Sequence, residues 1–146
     1  MNIPEEKINQ IADLLDFGLR VFYNLKTGEI KDIMVIDNWI DSGLIEKGEN
    51  PDDTEEIDKN RADYYEFENL DSYKSFQIMV DFAESVEDER LRNKLIDALN
   101  RSKPYRNFKT IIDYSGPYRN EWFIFKKSRY IEWVKKQIDL KNSKIK

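Results

Sequence analysis

Apolar and polar positions along the chain divide it into a helix, three strands and a run of helices. Ile8, Ile11, Ala12 and Leu15 recur at helical spacing. Pro4 precedes them and suits the first position of a helix, where its missing N–H has no intrahelical partner anyway. Gly18 ends that helix. The next stretch, LRVFYNLKTGEIKDIMVI, predicts a β-hairpin, with Gly28 able to take positive φ in the turn KTGE. Val21, Phe22 and Tyr23 are contiguous rather than alternating, so both faces of the first strand are expected to be covered.

From Asp37 to Asn60 the pattern weakens, with turn signals at Ser42-Gly43 and Asn50-Pro51. Trp39 and Ile40 are expected to anchor this segment. Pro51 is expected to open a short helix through Glu55, Glu56 and Ile57, and residues 41–60 otherwise read as an acidic, exposed connection. ADYYEFENL then alternates Tyr65 and Phe67 with Glu66 and Glu68, a half-buried third strand.

The second half is helical. Asp71 or Ser72 caps a helix whose apolar face holds Phe76, Met79, Val80, Phe82 and Ala83. Ser85 with Asp88 three residues on resembles a capping box, and Leu91, Leu95, Ile96 and Leu99 follow at helical spacing. Pro104 opens a third helix carrying Phe108, Ile111 and Ile112. Gly116-Pro117 breaks the chain, and a last helix runs from Tyr118 to about Ile138, leaving residues 139–146 as a frayed basic tail. Strands first and helices afterwards predict a single α+β domain over residues 1–146. It has a small antiparallel sheet, hairpin plus third strand, covered by several consecutive C-terminal helices.

Several of these segments carry a resemblance. SYKSFQIMVDFAESVEDERLRNKLIDALNRSKPYRNFKTIIDY, followed by EWFIFKKSRYIEWV, resembles the bacterial uncharacterised protein family 0158, and the turn KTGEI is similar to that family's N-terminal part. The likeness covers most of residues 63–138 and, more weakly, 17–36. It implies a bacterial, cytosolic context and brings no catalytic residues to carry over.

Composition narrows the chemistry. Cysteine and histidine are both absent, which removes disulfides, thiolate metal sites, serine triads, papain-like dyads and His-based zinc centres. There is no P-loop and no dinucleotide fingerprint. The N-terminus lacks the basic flank and apolar core of a secretory signal. No apolar run approaches the roughly 20 residues of a membrane helix, so a cytoplasmic protein without membrane contact is expected. No cofactor is called for.

Charge changes the picture most. Residues 1–100 carry 11 Lys and Arg against 25 Asp and Glu, a net −14; residues 101–146 carry 13 against 4, a net +9. Such a chain either neutralises itself on folding or presents a basic face to an anionic partner. Arg101, Lys103, Arg106 and Lys109 gather around the start of the Pro104 helix, and Arg119 at the start of the last one. Cations there oppose the helix macrodipole by some tenths of a kcal/mol each, and a bound anion relieves it. On the last helix, Trp122, Lys126, Arg129, Trp133 and Lys136 form one stripe, beside an apolar face of Phe123, Tyr130, Ile131, Val134 and Ile138. Indoles with cations suit unpaired bases. The plainer account is that the tryptophans edge the core while Lys and Arg stems lie across them.

Three functions follow. The first is a non-catalytic binding or adaptor domain that meets an acidic protein partner through Lys103, Arg106, Lys109, Arg119, Trp122, Lys126, Arg129 and Trp133. The second is RNA or single-stranded DNA binding through the Trp122/Trp133 stripe. The third is a Mg²⁺-dependent hydrolase built on acid pairs such as Asp37 with Asp41, Asp52 with Asp53, or Glu87 with Asp88. Nothing pairs those acids with a nucleophile or base.

Overall fold

The first helix, α1 (Glu5–Asp16), begins one residue later than expected. Pro4 is its N-cap, extended at φ −59° and ψ 150°, and its carbonyl accepts from the N–H groups of Lys7 and Ile8 at 3.0 Å each. Glu5 and Glu6 in the first turn favour the positive end of the helix dipole. Ile8, Ile11, Ala12 and Leu15 are all buried. Gly18 ends the helix at φ +93°, donating to the Leu15 carbonyl at 2.9 Å while Leu19 donates to Leu14 at 3.1 Å. The computed structural model describes the backbone of residues 1–34 and 51–145. The expected Trp39 and Ile40 anchors, the Ser42-Gly43 turn and the Asp37/Asp41 pair lie outside the described residues. So do the side chains of Asp52 and Asp53.

The chain is α+β, and it forms two compact units: residues 1–69 with 130–146, and residues 70–129. The first holds the sheet, β1 (Arg20–Asn24), β2 (Ile30–Ile33) and β3 (Tyr64–Phe67), in the order β2-β1-β3 with both pairings antiparallel. In the hairpin loop Asn24 Oδ1 accepts from the N–H groups of Lys26 and Thr27, and Gly28 at φ +77° donates to the Asn24 carbonyl. Central β1 is covered on both sides, as its contiguous apolar residues predict. Phe22 joins Ile33, Tyr64 and Ile57 of α2 (Pro51–Lys59) in one cluster, while α1 also packs against β1.

β3 departs from the expected alternation. Tyr64 and Phe67 are buried, whereas Tyr65 is half-buried. Two-sided cover of the sheet is the reason: Tyr64 turns to the Ile57 side and Phe67 to the other. Tyr65 sits against Phe67 edge-on at 4.8 Å, with Lys141 Nζ 5.4 Å from its ring.

In the second unit α3 (Ser72–Ser85), α4 (Glu89–Leu99), α5 (Pro104–Asp113) and the start of α6 (Tyr118–Ile145) enclose a second core. Phe82 is its centre, edge-on to Phe108 at 6.5 Å, Trp122 at 5.3 Å and Phe125 at 5.4 Å. Asp71 caps α3, accepting from the Lys74 N–H at 2.8 Å. The expected Ser85 capping box is not formed. Ser85 is the last residue of α3 and donates to the Phe82 carbonyl, and Asp88 itself caps α4 by accepting from Leu91 at 3.0 Å.

The expected frayed tail is also corrected, since α6 continues to Ile145. Residues 139–145 contain no glycine or proline to stop it. Asn142 is held from both sides: its Oδ1 accepts from the Met1 nitrogen at 2.7 Å, and its Nδ2 donates to the Met1 carbonyl at 2.9 Å.

Candidate protein-docking face

α5 is positioned by what it buries. Phe108 and Ile112, four residues apart, enter the second core and fix the helix's rotation. At 100° per residue the opposite side then carries Lys103, Arg106, Lys109, Thr110 and Asp113, all exposed. Lys103 is the N-cap, in the left-handed region at φ 55° and ψ 53°, with Pro104 beginning the helix. It is the one non-glycine residue with positive φ among those described, a conformation that costs about 1–2 kcal/mol. Asn107 ties the preceding loop down, its Nδ2 donating to the Ser102 carbonyl at 2.9 Å and its backbone N–H to Lys103 at 3.1 Å.

The late cations fall into two groups. Arg101 is matched by Asp97 at 2.7 Å, and Arg119 reaches Asp113 at 3.5 Å with its guanidinium 4.8 Å from the Phe123 ring. Arg129 holds Asp81 at 3.0 Å over the Phe125 ring, and Lys126 lies over Trp122 and Phe123. By contrast, the side chains of Lys103, Arg106 and Lys109 make no ion pair or hydrogen bond within the chain among the described residues. The first group is thus absorbed by the fold; these three face solvent as a ridge stepping every third residue.

Tyr105 borders that ridge. It is 46 % exposed, packs edge-on to Phe76 at 6.4 Å, and donates its hydroxyl to the Ser72 carbonyl at 2.8 Å. This bond sets the first turn of α3 against the first turn of α5. Tyr73, next to Ser72, is 75 % exposed. Neither tyrosine stands out by helical spacing; the interleaving of Lys103, Tyr105 and Arg106 is the sequence signal for this edge.

The tryptophans take other places. Trp122 is 9 % exposed and packs against Phe108 at 4.9 Å, so it offers no face for stacking. Trp133 belongs to the other unit, is half-buried, and donates its indole N–H to the Glu68 carbonyl at 2.7 Å. On the apolar side of α6, Tyr130, Val134 and Ile138 are buried, but Phe123 is 40 % exposed and Ile131 half-buried. Phe123 instead serves as a platform for Arg119 and Lys126.

A family model matches residues 31–144, from β2 to the last turn of α6. The chain belongs to the Uncharacterised protein family (UPF0158). The part matched to UPF0158 contains α5 and every residue of the basic ridge, and leaves out α1 and β1. No curated protein and no solved structure matches the chain.

A second group of cations lies in the first unit. Arg20 and Arg61 both bind Glu66, at 2.9 and 3.5 Å, and both guanidiniums lie over Phe22, in a cleft of about 500 Å³ that Gly18 and Asn69 also line. The Glu66 hydrogen bond raises the Arg20 pKa further, against the opposing effect of burial. Glu66 already serves both cations there. Among the described residues no three carboxylates converge in a way that could hold a metal ion, and Asp88 is spent on the α4 cap. No described helix is long and apolar enough to cross a membrane.

Proposed function

We propose that this chain is a non-catalytic binding domain of a bacterial, cytoplasmic protein, and that it docks an acidic protein surface through α5. The observation that carries this reading is the ridge of Lys103, Arg106 and Lys109, exposed and unmatched by carboxylates among the described residues, although acids outnumber bases overall. Unmatched cations of one sign steer an oppositely charged partner and fix its register. Tyr105 and Tyr73 beside them supply amphipathic contact area of the kind that interfaces favour. An acidic protein fits better than nucleic acid because the indoles that would stack on bases are buried or hydrogen-bonded.

The test is co-purification with the double reversal R106E/K109E. Loss of a co-purifying acidic protein, with the circular dichroism and melting of the chain unchanged, supports the reading. A partner list unaltered by the reversal removes it. Salt-sensitive binding of mixed-sequence RNA, weakened by the same reversal, would move the function to nucleic acid.

A further inference from the structure

We infer that the acidic surface met by α5 is helix α2 of a second copy of this chain, so that copies associate head to tail. The inference rests on the reading of α5 given above and names its partner. The two units differ in charge: residues 70–129 carry 12 Lys and Arg against 9 Asp and Glu, a net +3, whereas residues 1–69 and 130–146 carry 12 against 20, a net −8. Each copy therefore has a basic and an acidic part, and opposite parts of two copies attract even though both copies are net negative.

The match extends to spacing. α2 buries Ile57 against the sheet, and Glu56 is taken by Lys31 at 2.7 Å and by the Tyr64 hydroxyl. Glu55 and Asp58 remain exposed, three residues apart, and neither makes an ion pair among the described residues, although the charge of Asp58 reaches Arg20. Arg106 and Lys109 on α5 are also three residues apart and exposed. At 1.5 Å rise per residue both pairs repeat at about 4.5 Å, so two helices lying side by side bring both cations onto both carboxylates. The surfaces on the two copies are different, which makes the contact heterologous. It leaves one α5 and one α2 open at the ends and extends into a ring or a filament.

Sedimentation of the full chain over a wide concentration range at low salt tests this. The mean mass of the wild type is expected to rise with concentration and to fall as salt is added. R106E/K109E and E55K/D58K are each expected to lose self-association by roughly tenfold or more. Their equimolar mixture is expected to co-associate, because the unchanged α5 and α2 meet in the native contact and the two reversed helices meet with the signs exchanged. Combining all four reversals in one chain is expected to restore association with the signs exchanged. The neutral pairs R106Q/K109Q and E55Q/D58Q serve where a reversal disturbs folding. A wild type that stays monomeric, or a mixture that does not co-associate, overturns the inference. A labelled poly-glutamate peptide separates the two levels. If it binds monomeric wild type but not R106E/K109E, only the second copy is wrong; if it binds neither, the reading of α5 falls too.

Discussion

Gln137 holds both backbone atoms of Glu68: its Oε1 accepts from the Glu68 N–H at 2.8 Å, and its Nε2 donates to the Glu68 carbonyl at 3.0 Å. Glu68 follows the last residue of β3, so one side chain of α6 stands in for the next rung of the sheet. Gln137 is the one buried polar side chain among the described residues. Removing it orphans a donor, since the carbonyl keeps Trp133 but the N–H has no second partner. Q137A is expected to cost about 1–3 kcal/mol in urea unfolding. Q137E keeps an acceptor for that N–H but buries a carboxylate against the Glu68 carbonyl, so it is expected to remain destabilised for that different reason.

The hairpin turn depends on a conformation that side chains resist. Gly28 sits at φ +77°, and a Cβ there meets Lys7 Nζ at 3.2 Å and the Tyr23 hydroxyl at 3.4 Å. Lys7 donates to the Gly28 carbonyl, so α1 and the turn are joined at this point. G28A is expected to destabilise by about 1–2 kcal/mol. K7A in the G28A background relieves the crowding and not the backbone strain, so the double variant should remain below K7A alone by a similar margin in thermal unfolding.

Helix starts in the second unit are assigned to Asp71 and Asp88 rather than to Ser85. D71A and D88A are each expected to lower stability by about 0.5–2 kcal/mol, the usual cost of an N-cap. S85A removes only a bond back to its own helix and is expected to change stability by less than about 0.5 kcal/mol. Equal losses for Ser85 and Asp88 would return the capping box that the sequence suggested.

Tyr65 gives the fold an alkaline limit. Burial raises its pKa above the usual 10.0, and the nearby Glu68 carboxylate raises it further. The folded state therefore keeps the phenolic proton at pH values where the unfolded chain has lost it. That contribution to stability is complete below the unfolded value and is lost as pH rises from there through the folded value. Y65F has no proton to lose, so its stability is expected to fall less steeply above about pH 10. Parallel curves for wild type and Y65F in that range would contradict the assignment.

Element order was legible because helix and strand periods differ and because Gly18, Gly28, Pro51, Pro104 and Gly116-Pro117 fall at element ends. The contiguous Val21, Phe22 and Tyr23 foretold a strand covered on both faces. The inward residues of β3 were not legible. Tyr64, Tyr65 and Phe67 are all apolar enough to face a core, and only the two-sided cover decides between them. In the candidate site, the sequence gathered Lys103, Arg106 and Lys109 at the start of α5 without assigning them to one side of it. It could not say which cations find carboxylates, because Asp81 lies 48 positions from Arg129. Nor could it separate the two tryptophans of one stripe: Trp122 has Phe82 and Phe108 around it, and Trp133 has the Glu68 carbonyl.

Whether the exposed ridge of α5 is a docking surface is tested most directly by fluorescence anisotropy of a labelled acidic peptide titrated with wild type and with R106E/K109E. The wild type is expected to bind with an affinity that weakens as salt is raised, and the reversal variant at least about tenfold more weakly, with equal melting temperatures. Equal affinity of the two proteins for the peptide would contradict it.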